Sequence, residues 1–205
     1  MKNLNAIAAV AVTLVGGALN AAAAGPAPQT GIKNVVRVHD AFADGEAAAD
    51  SLKKDGYTVS VVQEPQTSFA EDVKFTKTAI DRQSELVVLV GHSFGRAVIT
   101  EAGNDPKVSA LVYIAVFAPD AGESAARLKQ SIPPATKGFK ATDAGFFFLD
   151  PAVFAADFAA DAPAVKVNFM TLAQVLVSAD SFTSPVKAPG WRSKPTGTWW
   201  PRRTG

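Results

Sequence analysis

Residues 86–95 read Leu-Val-Val-Leu-Val-Gly-His-Ser-Phe-Gly, an apolar, β-branched run that breaks into G-x-S-x-G with Ser93 at its centre. A buried-type strand, a sharp turn and the apolar helix start Ala97-Val98-Ile99 are the context of a nucleophile elbow. Glycines at 91 and 95 suit it, because the turn strains the serine backbone and leaves no room for side chains on either side. A hydroxyl presented this way attacks a carbonyl carbon once a histidine takes its proton and a carboxylate fixes that histidine. The tetrahedral oxyanion then needs N–H donors.

The elements that must position Ser93 can be read on both sides of it. Asn34 to Val38 is a short strand leading into His39-Asp40-Ala41-Phe42, and Gly45 to Asp55 has the alanine-rich composition of a helix stopped by Gly56. Tyr57 to Val62 is the second strand. Ser68 to Arg82 is a helix with Ser68 as N-cap and Glu71 three residues on, a capping-box pattern. Leu86 to Val90 is the third strand, the elbow helix runs from about Phe94 to Gly103, and Ser109 to Val116 is the fourth strand, apolar on both faces. This alternation predicts an α/β fold, a mostly parallel sheet with helices on both faces and catalytic groups at the carboxyl ends of its strands. From Gly122 to about Pro189 the chain becomes Phe- and Ala-rich, with Phe146, Phe147, Phe148, Phe154, Phe158 and Phe169, and reads as a helical cap. The aromatics line a pocket or join cap to core.

Composition excludes several classes. At 205 residues, net charge +1 and no basic run, the chain is one domain and an improbable partner for nucleic acid. It has no cysteine, which excludes disulfides, zinc-thiolate sites and a cysteine nucleophile. Lys2, the apolar stretch Ala6 to Leu19 and the small residues Ala21 to Ala24 have the layout of a secretory signal peptide, so the mature chain is expected to be exported, periplasmic or secreted, with no membrane segment. The boundaries that follow are 1–24 signal peptide, 25–33 lead-in, 34–122 α/β core, 123–189 helical cap and 190–205 tail.

Three motifs together carry a resemblance. Val36-Arg-Val-His-Asp-Ala-Phe-Ala-Asp-Gly45, Gly91-His-Ser-Phe-Gly95 and Ala118-Pro-Asp-Ala-Gly-Glu-Ser124 resemble the capped α/β-hydrolases, in the bacterial branch similar to plant methyl-ester esterases and hydroxynitrile lyases. The resemblance implies cofactor-free and metal-free hydrolysis of small esters, with Ser93 as nucleophile and the backbone N–H groups of Ala41 and Phe94 as the oxyanion hole. Lyase chemistry on the same scaffold rests on analogy alone.

The chain departs from that family at Asp40 and Arg96, where glycines are usual. These two are candidates to pair with each other. Only two histidines exist, His39 and His92. Neither suits the general base, since His92 should point away from the nucleophile's pocket and His39 resembles the loop-shaping histidine of the oxyanion segment. Asp120 and Glu123 follow the fourth strand, and an acid without its histidine activates nothing; they read as solvated loop carboxylates. The expectation is therefore an impaired serine hydrolase lacking its last strands. The alternative is a non-catalytic module binding a small apolar ligand, and an open sheet edge would favour self-association or completion by a partner strand.

The tail 197–205 shows neither strand nor helix periodicity. One permissible encoding, read from the last base of Thr196, regroups in the neighbouring frame as Trp-Tyr-Val-Val-Ala-Thr-Glu-Asp-Arg, a strand and acidic turn. Its second Val and its Ala follow from the tryptophan codons and the first two bases of proline regardless of choice. A frameshifted, truncated hydrolase is the expectation; sequencing the gene should reveal a strand-Asp continuation in the neighbouring frame, and its absence refutes the idea.

Overall fold

The computed structural model describes residues 31–39, 46–114, 118–131, 138–160 and 162–199. In chain order these form β1 (Asn34–Val38), α1 (Glu46–Lys54), β2 (Thr58–Val61), α2 (Phe69–Asp81), β3 (Val87–His92), α3 (Gly95–Ala102) and β4 (Val108–Ile114). They continue with α4 (Ala125–Ser131), β5 (Phe139–Ala141), β6 (Phe146–Leu149), α5 (Pro151–Phe158), α6 (Ala164–Leu172), β7 (Val177–Ser178), α7 (Ala179–Thr183) and β8 (Thr196–Trp199). The signal-peptide and lead-in residues to 30, residues 40–45, the expected end of the fourth strand at residues 115–116 and residues 200–205 lie outside the described residues.

Five strands make a wholly parallel sheet in the order β2-β1-β3-β4-β8. Side chains alternate between its faces, and both faces are covered, which is why β3 and β4 are apolar on both faces apart from His92 and Ser109. Val36, Val38, Leu89, Leu111 and Tyr113 pack with Val73 and Ile80 of α2 and Val98 and Ile99 of α3. Val35, Val88, Val90, Val112 and Ile114 pack on the opposite face with Leu52 of α1 and with Tyr57. The α/β architecture expected from the alternation of elements is the one found.

Two sequence expectations change. The cap is mixed rather than wholly helical: β5, β6 and β7 form a three-stranded antiparallel sheet beside α5 and α6. Phe146-Phe147-Phe148-Leu149 is a run of strand-favouring residues, and a tight turn at Gly145 (φ 79°) folds it back on β5, with Thr142 N–H bonding Phe146 O at 2.8 Å. Phe154 is fully buried and stacks at a tilt on Phe158, 5.1 Å between centroids, whereas Phe169 is 66 % exposed and stands outside the core. Second, the tail contains a strand. Thr196–Trp199 pairs in parallel with Leu111–Ile114, and Leu111 N–H bonds Pro195 O at 3.0 Å. Four residues are too few to show periodicity, so the edge of β4 sets their conformation.

Ser68 caps α2 as expected, its Oγ accepting the Glu71 N–H at 3.2 Å. The Glu71 carboxylate bonds Lys74 Nζ at 3.2 Å. One turn further in, Asp72 is fully buried, with Oδ1 accepting from Gln66 N–H at 2.8 Å and Oδ2 from the Ser181 hydroxyl at 2.9 Å. Burial pushes its carboxyl up to about 6 from the ordinary 3.8, helped by repulsion from Asp180 and Glu71 and opposed by those two donated bonds. Because the folded-state value lies above the unfolded one, the stabilising contribution of this group is complete below its ordinary value and is lost as pH rises through about 6. The buried charge then costs about 3 kcal/mol at neutral pH. Asp72→Asn keeps an acceptor for Gln66 and carries no charge. Urea unfolding between pH 4 and 7.5 should show the wild type losing stability relative to this variant as pH rises through 6; parallel profiles would refute the assignment.

Candidate functional site

β3 carries the chain to the carboxyl edge of the sheet, where Ser93 adopts φ 48°, left-handed backbone that a residue with a Cβ rarely takes. Such a conformation costs on the order of 1–2 kcal/mol and persists only where its surroundings enforce it. Two close approaches enforce it. A Cβ on Gly91 would lie 2.9 Å from Gly95 O and from Ile99 Cδ1; one on Gly95 would lie 2.7 Å from Val38 O and 2.8 Å from His39 O. The ends of β1 and β3 and the head of α3 are therefore in contact around the serine.

The first intrahelical bonds of α3 are Arg96 N–H to Ser93 O (3.2 Å) and Ala97 N–H to Phe94 O (3.0 Å). The Phe94 N–H precedes them, at the positive end of the helix dipole and directly after Ser93, where an oxyanion is best received. The Phe94 ring is buried and meets Phe182 of α7 edge-on at 5.5 Å; Phe182 in turn meets Phe147 of β6 at 6.0 Å. An aromatic line thus runs from the elbow into the cap sheet. Under α3, Tyr113 of β4 shares a 2.8 Å hydrogen bond with the Thr100 hydroxyl, and burial pushes its phenol up to about 12.

Ala41 and Asp40 lie outside the described residues, so the expected second oxyanion donor and the expected Asp40–Arg96 pair have no described geometry. Arg96 reaches the cap: its Nη2 donates to Ala125 O at 3.4 Å, and burial lowers its pKa while Glu123 opposes that shift. Asp120 accepts from Arg192 Nη2 at 2.6 Å and from Ala121 N–H at 2.7 Å, and Glu123 Oε2 accepts from Asp120 N–H at 2.8 Å. These carboxylates tie the loop after β4 to the returning chain, where Trp191 Nε1 also donates to Pro119 O at 2.8 Å. His39 is buried at the end of β1. His92 is opposite Ile114 in β4 and, by alternation, shares a face with Val88 and Val90, away from the face that α3 covers. Among the described residues no group of three or more His, Cys, Asp or Glu is placed to hold a metal ion.

Phe182 and the Asp72 cluster escaped sequence reading. Ser178-x-x-Ser181 is a helix-start signal, but nothing in it says which core element it meets.

A parallel sheet with a strained serine between strand and helix, roofed by a cap inserted after the next strand, defines a class of fold shared by many enzymes. A profile described as the alpha/beta hydrolase family matches residues 36–203, and the chain belongs to that family. Among solved structures, an extracellular alpha/beta-hydrolase from a Paenibacillus species, titled as sharing structural and functional homology with tobacco salicylic acid binding protein 2, is similar at 19 % identity and TM-score 0.65, covering 82 % of this chain and 76 % of that one. Polyneuridine aldehyde esterase matches at 16 % identity and TM-score 0.66, over 82 % and 79 %. A methylesterase from Arabidopsis matches at 17 % and 0.61, over 80 % and 76 %. At these identities the likeness is one of fold. No curated protein sequence matches the chain.

Gly95→Ala sets a methyl group against two backbone carbonyls that cannot yield as a side chain can. It should cost roughly 1–3 kcal/mol, the range for overpacking, and loosen the turn at Ser93. Denaturant unfolding measures the first effect and amide exchange of the elbow peptide the second; wild-type values in both would refute the close-packing account.

Proposed function

We propose that this chain is a serine hydrolase of small esters, with Ser93 as nucleophile and the N–H groups of Phe94 and Ala41 receiving the oxyanion. The observation that carries the reading is Ser93 at φ 48° between two tightly packed glycines at the head of α3. The strain is maintained by close packing at a position that places a hydroxyl beside helix-terminal N–H groups. The esterase names of the polyneuridine aldehyde and Arabidopsis neighbours support an ester as substrate. Ser93 Oγ attacks the ester carbonyl, the oxyanion forms against Phe94 N–H, and the hydroxyl proton must pass to a base.

That base limits the activity. His39 and His92 are the two histidines of the sequence, and His92 lies on the face of β3 that α3 does not cover. This stretch of chain therefore acylates slowly, with roughly a thousandfold advantage over water remaining from oxyanion and binding contributions. Export is part of the proposal. It rests on the signal-like residues 1–24 and is in keeping with the extracellular Paenibacillus neighbour; among the described residues no helix is long and apolar enough to cross a membrane.

The second reading is a non-catalytic module that holds a small apolar ligand. The aromatic line Phe94–Phe182–Phe147 beside the elbow favours it. A fluorophosphonate probe separates the two. Covalent labelling that Ser93→Ala abolishes supports the hydrolase, and absence of labelling together with tight binding of an apolar ligand supports the module.

A further inference from the structure

Where the cap returns to the core, two helix N-termini meet. α2 starts after Ser68 and α7 after Ser178, whose Oγ accepts Ser181 N–H at 3.1 Å. Each helix lends a carboxylate to the other side. Asp180 of α7 accepts Phe69 N–H of α2 at 3.2 Å, and Asp72 of α2 accepts the Ser181 hydroxyl of α7 at 2.9 Å. The other Asp72 oxygen holds the N–H of Gln66, a fully buried residue at φ 54° whose carbonyl takes Ser178 N–H at 2.9 Å. Ser178 Oγ donates to Ser181 Oγ at 3.1 Å, closing the set. Gln66, Asp72, Ser178 and Ser181 are all buried.

The residue after Ser181 is Phe182, and its ring rests on Phe94, the residue after Ser93. α7 is five residues long, too short to hold its own geometry without tertiary support. Apolar contact alone would let such a turn slide, whereas directed hydrogen bonds fix its rotation and height. An apolar residue in place of Asp72 would avoid the cost of a buried carboxylate, yet it could not accept from Gln66 and Ser181 together.

We propose that Asp72 is a positioning residue for the Ser93 site: by clamping Gln66 and Ser181 it sets Phe182 against Phe94 and so fixes the oxyanion donor and the wall that selects the acyl or alcohol group. The proposal rests on the Ser93 reading, and its experiment has one arm independent of that reading. The full chain is compared with Asp72→Ala, Asp72→Asn and Phe182→Ala, and with Leu52→Ala, which loosens the opposite face of the sheet and controls for general destabilisation.

Amide exchange of the peptides 93–98 and 177–184 is the independent arm. Asp72→Ala should speed exchange in both by roughly tenfold beyond any change in the Leu52→Ala control, whereas Asp72→Asn, whose Oδ1 can accept from Gln66 N–H and whose Nδ2 can donate to Ser181 Oγ, should speed exchange in neither. Labelling of Ser93 by a small alkyl and by a bulky aryl fluorophosphonate is the second arm. Their rate ratio should shift at least about threefold in Asp72→Ala and in Phe182→Ala and stay unchanged in Asp72→Asn and Leu52→Ala. Unchanged exchange at 93–98 in Asp72→Ala, or an equal change in Leu52→Ala, overturns the proposal. A rate ratio shifted as much by Leu52→Ala does so as well. If wild-type Ser93 takes no probe, the hydrolase reading fails by itself, and the exchange arm still decides whether the clamp controls the elbow.

Discussion

The closeness of α3 to the ends of β1 and β3 is the constraint on which the remaining geometry depends. At Gly95 the backbone of the helix comes so near the carbonyls of Val38 and His39 that a single methyl group would intrude, and at Gly91 the same is true of the turn itself. With these separations fixed, Ser93 has no relaxed conformation available, and Phe94 must enter the helix with its ring directed into the core. Burial on both faces of the sheet supplies the force that maintains the approach: Val98 and Ile99 of α3 are fully buried against Leu89, Leu111 and Tyr113. A strained serine is thus the local consequence of a well-packed crossover.

Much of this was legible because its causes are local. A strand buried on both sides must be apolar throughout, a crossover helix must present one apolar face, and an elbow of this tightness demands glycine at two fixed positions; each leaves a mark within ten residues of sequence. The capped head of α2 is legible for the same reason, since Ser68 and Glu71 lie within one turn. What the sequence could not show is decided between distant segments. Asp72 meets a residue 109 positions on and Phe69 one 111 positions on, and no pattern near either names its partner. The strands of the cap are hidden because a Phe-rich run satisfies helix and strand equally until Gly145 and the facing strand choose. β8 escaped notice because its conformation is borrowed from β4.

The charged groups of the site region are mostly used to hold segments together. Asp120, Glu123 and Arg96 bind the loop after β4 and the first turn of the cap. Glu101, on α3, accepts the N–H groups of Lys187 and Ala188 at 2.7 and 3.2 Å, and so fastens the returning chain to the same helix that carries the elbow. The exposed pair Arg192–Asp120 adds little stability in water, but it repeats the same connection. α6 contrasts with these attachments: it buries Val167 and leaves Val165, Phe169 and Leu172 in solvent.

The two ends of the cap lie side by side. Gly122 N–H bonds Val186 O and Val186 N–H bonds Glu123 O, both at 2.9 Å, so the chain leaves the core and re-enters it through one doubly hydrogen-bonded gate. An insertion whose ends are already pinned together transmits almost nothing of its own length to its host, because the entropy of closing a loop grows only with the logarithm of its size. Between these residues the segments other than α7 can therefore lengthen or shorten while the serine beneath them keeps its place, so long as α7 keeps its hydroxyl on Asp72 and its Phe182 ring on Phe94.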